Sequence, residues 1–273
     1  MILITGATGK VGGLLVRGLP ASTSLLLSDI SEPSDTESRV RHDSMGGTRI
    51  VDLTDPVATA TLMENVEAII HLAGEARAGA GWGALMENNL RATANLFDAA
   101  GAAGVRKIVY ASSVHASGAY NDPATWPVDP DWPCRPCCRY GASKAAGESM
   151  AKLYSDTHPE SSVVSLRLAL VADPPRWRPE VDGWLAAEDL VGLFLAALNS
   201  RISYGVFFGA SPSGSPRYRL EKNESRLGYR SQIYARPTES MTDVPPDYAE
   251  DCILWRPQIE ETVGPARRRS GNP

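Results

Sequence analysis

Tyr140 and Lys144 stand four residues apart in Tyr140-Gly141-Ala142-Ser143-Lys144. On a helix that spacing puts a phenol and an ammonium on one face. A tyrosine in water has a pKa of about 10 and is a poor base near neutrality. A neighbouring ammonium favours the phenolate, so the pair can exchange a proton with a substrate hydroxyl or carbonyl. Upstream, an apolar run closes in Ala111-Ser112-Ser113-Val114-His115. A serine at the end of such a run can hydrogen-bond the same substrate oxygen.

A second constellation opens the chain. Thr5-Gly6-Ala7-Thr8-Gly9-Lys10-Val11-Gly12 has three glycines at intervals of three, after a strand pattern and before a helix pattern. Gly6 permits the tight turn, Gly9 lets backbone N–H groups approach a pyrophosphate, and Gly12 lets the helix pack closely on the strand. Thr8, Lys10 and Val11 lie in the same turn and belong to the candidate cofactor set. Asp29 follows 23 residues after Gly6, near the offset of ~20 at which an acid meets the adenosine ribose. A carboxylate there accepts from both ribose hydroxyls and repels a 2′-phosphate, which favours NAD over NADP.

The elements that must hold these groups can be read from periodicity. Met1–Thr5, Ser24–Ser28, Thr48–Val51, Ala68–Leu72, Lys107–Ala111, Val163–Leu168 and Val206–Phe208 read as strands, most of them apolar on both faces. Helical patterns run over Val11–Gly18, Ala58–Asn65, Leu85–Ala103, Gly141–Thr157 and Glu188–Asn199. In the third of these, Met86, Leu90, Ala94 and Phe97 form a stripe suited to a core or a dimer face. The alternation predicts an α/β fold, a doubly wound parallel sheet with helices on both faces and a small C-terminal substrate-binding region. Ser31–Gly47, polar and holding Pro33 and Gly46-Gly47, reads as a loop, and the five prolines of Asn121–Arg139 exclude helix or central strand there. The chain is expected to be one domain. Residues 1–160 form mainly the cofactor-binding core, 161–262 mix core strands with the substrate region, and 263–273 form a disordered tail.

Composition narrows the partners. The 273 residues are 43% hydrophobic and 22% charged, enough for a sizeable core. With 27 Lys and Arg against 32 Asp and Glu, the net charge of −5 gives no broad attraction to nucleic acid or anionic lipid. No apolar run approaches the ~20 residues of a membrane helix. Met1 leads directly into Ile2-Leu3-Ile4 without a signal-like leader, and four cysteines are too few for a disulfide scaffold, so a cytoplasmic location is expected. Cys134-Arg135-Pro136-Cys137-Cys138 lacks a second Cys/His pair at metal spacing, since His42, His71, His115 and His158 are scattered; no metal is expected. His71, ending an apolar strand, reads as a structural histidine.

Taken together, Gly6/Gly9/Gly12, Asp52-Leu53, His71-Leu72-Ala73-Gly74, the strand-end serines and Tyr140/Lys144 resemble an extended short-chain dehydrogenase/reductase of the NAD-dependent epimerase/dehydratase family, over roughly residues 1–210. The resemblance implies Ser113, Tyr140 and Lys144 as catalytic serine, tyrosine and lysine, with Ser113 preferred to Ser112 for its distance from Gly118. It implies Asp52 and Leu53 beside the adenine, Leu72, Ala73 and Gly74 along the cofactor path, and Asn89 as the asparagine of the central helix. It also implies a homodimer, built through that helix and the one bearing Tyr140.

Within the superfamily, Ser112-Ser113-Val114-His115-Ala116-Ser117-Gly118, Phe208-Gly209-Ala210-Ser211 and Leu227-Gly228-Tyr229 are similar to the uronate dehydrogenases, which oxidise the anomeric hydroxyl of a hexuronic acid with NAD. That likeness implies substrate contacts from Ser113 and His115 and a carboxylate clamp from Arg178, a geometry a guanidinium suits well. Arg77, in the glycine-rich Glu75–Gly83, is a second candidate anion contact. Val114, Leu170 and Ala76 stand where the uronate group carries polar residues. The expected activity is therefore NAD-dependent oxidation of a small, anionic, sugar-acid-like hydroxyl compound, with glucuronate and galacturonate poor substrates. The alternatives are a nucleotide-sugar epimerase or dehydratase with tightly held NAD, and a dinucleotide-sensing regulator without turnover.

Overall fold

The computed structural model describes residues 1–171, 177–214, 216–239 and 241–242. Seven parallel strands form its sheet: β1 (Ile2–Thr5), β2 (Leu25–Asp29), β3 (Thr48–Ile50), β4 (Ala68–His71), β5 (Lys107–Ser113), β6 (Ser162–Leu168) and, beyond a short parallel pair β7 (Leu170–Val171) and β8 (Trp184–Leu185), β9 (Tyr204–Gly209). Their order is β3-β2-β1-β4-β5-β6-β9. The chain therefore reverses direction across the sheet between β1 and β4, and at such a switch point the strand ends leave a crevice for a ligand. The expected doubly wound fold is the one observed.

Helices cover the two faces. α1 (Lys10–Gly18) and α7 (Ala187–Asn199) pack on one side, where Leu15, Val16, Leu190, Leu193 and Phe194 join Ile4, Val109 and Phe207 in one core. On the other side Leu96, Phe97, Ala100, Ala151 and Tyr154 pack over Leu3, Ile69 and Ile108. α5 (Ala92–Ala102) and α6 (Arg139–Thr157) carry those side chains, and α3 (Pro56–Thr61) closes that layer.

Two local expectations are corrected. Residues within Ser31–Gly47 form a helix, α2 (Thr36–Ser44), capped by Asp35, whose carboxylate accepts the Ser38 N–H at 2.8 Å. Only His42 of this helix is buried, so it has no apolar stripe to reveal it, and its end caps decide its form. The long central helix is also not uniform: α4 (Trp82–Leu85) passes through a π-helical stretch, Met86–Arg91, into α5. The wider turn rotates the helix face, so the regular stripe does not survive. Met86 is exposed while Leu85, Asn89, Leu96 and Phe97 are buried.

Two buried carboxylates tie distant elements together. Glu148 on α6 takes a two-point contact from Arg167 on β6 (2.9 and 2.8 Å), plus the Ser112 hydroxyl at 2.5 Å. Asp189, in the first turn of α7, accepts from Ser211, Tyr229 and the Gln232 and Ile233 amides at 2.6 to 3.2 Å. His71 is held by Thr5 at 2.8 Å and Thr93 at 3.0 Å, and burial pushes its pKa down to about 3, so it is a neutral structural group. No helix among the described residues is long and apolar enough to cross a membrane.

Candidate active site

The crevice at the switch point opens into a cleft of about 890 Å³. The glycine turn leads into the part of it lined by Lys10 and Val11. Gly6 has φ +70°, and a Cβ there would lie 2.7 Å from the Ala73 amide nitrogen. A Cβ on Gly12 would lie 2.4 Å from the Gly6 carbonyl oxygen. The first position needs a left-handed backbone, and the second needs an empty side chain so that α1 can approach the turn. Gly9 is the N-cap of α1 and supplies no side-chain cap, so the helix N-terminus presents its N–H groups and positive dipole end without a covering side chain. Lys10, Val11, Leu72 and Gly74 line the cleft onward from there.

Asp29 ends β2 beside this turn. Its Oδ2 accepts from the Thr8 amide (2.9 Å) and hydroxyl (2.7 Å), and its Oδ1 accepts from the Ile30 amide (2.7 Å). The carboxylate is thereby fixed beside the glycine turn. Asp52 is exposed and accepts the Thr54 amide at 2.9 Å, whereas the Leu53 side chain is buried in the core. Any contact from Leu53 to an adenine is thus made by its backbone. Ala73 offers its amide to the Thr5 hydroxyl at 3.4 Å. Asn89 takes a different part from the other cofactor candidates. Its side chain is buried and fully engaged, accepting the Glu75 amide at 2.6 Å and donating to the Glu75 carbonyl at 3.0 Å and to the Ser143 hydroxyl at 2.8 Å. It positions the loop after β4 against α6.

At the other end of the cleft Ser113, His115, Tyr140 and Lys144 come together. Ser113 ends β5, while Tyr140 and Lys144 lie in the first two turns of α6, whose N-cap is Cys138. Burial pushes the Tyr140 phenol up to about 12, with the Ser113 hydroxyl pulling the other way. Burial also brings Lys144 down to about 8. Its ammonium donates to the Ala111 carbonyl at 2.9 Å and lies 5.9 Å from the Tyr140 ring centre. The tyrosine pKa is therefore raised by burial, not lowered as the four-residue spacing to Lys144 predicts. Ser112, the other serine, has its hydroxyl bound to Glu148, whereas Ser113 lines the cleft beside Tyr140.

The substrate end is apolar. Val114, Leu170 and Ala76 all line the cleft. Arg77 also reaches its lining, but Glu75 engages its Nε at 2.9 Å and Nη2 at 2.7 Å, so the expected anion contact already has a carboxylate partner. That contact holds the Glu75 carboxyl below its usual range. Arg178 opens a 3-10 turn, Arg178–Gly183, and its side chain lies outside the described residues, as does the tail 263–273.

His115 faces two ways. Its ring meets Tyr140 edge-on, with centroids 5.5 Å apart, and its Nδ1 lies 3.3 Å from the Cys137 sulfur and 3.5 Å from that of Cys138. Spacing along the chain separates this histidine from the cysteines by more than twenty residues, and only the fold unites them. The Glu148–Arg167 pair under the catalytic strand was equally invisible, since neither residue stands in a motif.

The chain is similar to known proteins. Residues 2–187 match the model of the NAD dependent epimerase/dehydratase family. The chain is 32% identical over 246 residues to an NAD-dependent glucose-6-phosphate dehydrogenase of Haloferax volcanii, covering 85% of this chain and 92% of that one. It is 30% identical over 252 residues to a uronate dehydrogenase of Pseudomonas syringae pv. tomato, covering 92% and 88%. A uronate dehydrogenase variant from Agrobacterium tumefaciens, crystallised with NAD, superposes with a TM-score of 0.75 at 25% identity, over 100% of this chain and 91% of that one.

Proposed function

The chain belongs to the NAD dependent epimerase/dehydratase family, and from that premise we propose that it oxidises the anomeric hydroxyl of a small anionic sugar. It is an NAD-dependent oxidoreductase of the sugar dehydrogenase kind. The observation that carries the reading is one cleft lined both by Lys10 and Val11, at the start of α1 just after the glycine turn, and by Ser113, Tyr140 and Lys144. NAD fits this arrangement: the open N-terminus of α1 suits a pyrophosphate, and Asp29, already accepting from Thr8 and Ile30, keeps lone-pair capacity for a ribose hydroxyl.

When bound, NAD would supply the hydride acceptor and a positive ring charge. The rest is work for the protein. Ser113 donates to and orients the substrate oxygen, and Tyr140 receives the hydroxyl proton at its phenolate oxygen. The Lys144 ammonium, anchored on Ala111, has further N–H groups to hold a ribose hydroxyl and to favour the phenolate. Family relatives acting on glucose 6-phosphate and on uronates both take an anionic sugar. Arg178 is our candidate for the charge. The apolar Val114, Leu170 and Ala76 disfavour a free hexuronate, since each sugar hydroxyl left unpaired in a closed pocket costs about 1–3 kcal/mol.

The test is an NADH-formation screen across uronic acids, sugar phosphates, smaller hydroxy acids and neutral aldoses. We expect turnover with an anionic compound, with glucuronate and galacturonate poor. A neutral aldose as best substrate would overturn the anionic reading and leave the dehydrogenase standing. We further propose a cytoplasmic homodimer. Met86 and Leu153 expose apolar side chains on the central helix and on α6, and Cys134, Cys137 and Cys138 form no disulfide, which suits a reducing compartment. Light scattering of the protein and of a Leu153→Glu variant checks the dimer: the protein should run as two copies and the variant as one.

A further inference from the structure

Beside the catalytic tyrosine the fold brings together three soft ligands: His115 Nδ1, Cys137 Sγ and Cys138 Sγ. The nitrogen lies 3.3 and 3.5 Å from the two sulfurs, which are 4.0 Å from each other. A tetrahedral zinc ion, with bonds of about 2.3 Å to sulfur and 2.0–2.1 Å to nitrogen, spaces its sulfurs about 3.8 Å apart and its S and N about 3.6 Å apart. All three observed separations fall within about 0.3 Å of that triangle. Adjacent residues in an extended segment ordinarily send their side chains to opposite sides. Here Cys138 is extended (φ −160°, ψ 172°), yet both sulfurs converge on one ring nitrogen.

We propose that His115, Cys137 and Cys138 form a binding site for a thiophilic divalent cation of the zinc class. Two thiolates and an imidazole are the donor set that selects such an ion over magnesium or calcium. The Gly141 amide, at the N-terminus of α6, donates to the Cys138 sulfur at 3.3 Å and so favours the thiolate that a metal requires. Ligation through Nδ1 leaves the histidine proton on Nε2. Binding releases the two thiol protons to solvent, with no change of oxidation state. Among the described residues no fourth side chain joins the group. The cation would clip the turn after β5, which carries His115, to the N-cap of α6, and so fix Ser113 relative to Tyr140.

The full chain, stripped with a chelator under reductant, is titrated with Co²⁺ and followed by absorption. One equivalent should give thiolate-to-cobalt charge-transfer and tetrahedral ligand-field bands, both abolished by Zn²⁺. Cys137→Ser and Cys138→Ser should lose the bands, while Cys134→Ser should keep them. Circular dichroism and NAD binding report whether each variant folds. Should those variants fail to fold, alkylation mapped on the unmodified protein decides the matter: Zn²⁺ should protect Cys137 and Cys138 and leave Cys134 reactive. Absence of charge-transfer bands, bands that depend on Cys134, or equal alkylation with and without Zn²⁺ would overturn the site.

Discussion

At the scale of the residue, the site depends on how burial treats Tyr140 and Lys144. The phenol is pushed up to about 12 and the ammonium down to about 8, both by desolvation. A phenol that holds its proton so tightly becomes a base only when positive charge enters the cleft. We therefore expect the oxidation rate at saturating NAD to rise with pH, as measured by kcat/KM profiles in the oxidative direction. Tyr140→Phe removes only the hydroxyl, so turnover should fall by about 10²-fold or more while NAD binding survives. Lys144→Met should damage both, because one ammonium serves the phenol and the ribose; fluorescence titration with NADH separates the two effects. Asp29→Ala should relax the preference for NAD over NADP, read as the ratio of kcat/KM values, by removing the carboxylate that repels a 2′-phosphate. The same change also releases Thr8, whose amide and hydroxyl rest on that carboxylate.

At the scale of the element, α6 matters most. It carries Tyr140 and Lys144 on its first turns and Glu148 one turn further on. Glu148 meets Arg167 of β6 and Ser112 of β5, so one buried carboxylate locks the catalytic helix to the two strands whose ends form the cleft wall. Removing one partner of such a pair strands the other charge in a dry interior, a loss of about 3–5 kcal/mol. Arg167→Met should show that loss in urea unfolding, and Glu148→Gln a part of it. The Asn89 side chain acts likewise on the loop after β4. It sits in the π-helical stretch, where the wider turn brings it between Glu75 and Ser143.

At the scale of the whole molecule, the buried neutral His71 links stability to pH. Its pKa falls from 6.5 to about 3 on folding, so between those values the unfolded chain binds the extra proton and the native chain does not. Stability from this group is complete above about 6.5 and is lost as pH falls toward 3. Denaturant unfolding at several pH values should show the decline, and His71→Gln should make it shallower. The histidine lies between β1 and the central helix, bound to Thr5 and Thr93, so its protonation would strain the sheet at the switch point.

The doubly wound fold, the glycine turn and the Tyr140/Lys144 pair were legible in the sequence because each is local. A glycine triplet, a helical i,i+4 pair and an apolar strand carry their signal within a few residues. What remained hidden depends on residues far apart in the chain. The polar helix α2 has no buried stripe and is held by its end cap, and the π-helical stretch breaks a stripe that looked regular. The Glu148–Arg167 pair joins residues 19 apart on different elements, and His115 meets Cys137 and Cys138 across 22 and 23 residues. The direction of the Tyr140 shift also required the structure. The spacing places an ammonium near, but only the packed site shows that burial drives the phenol upward.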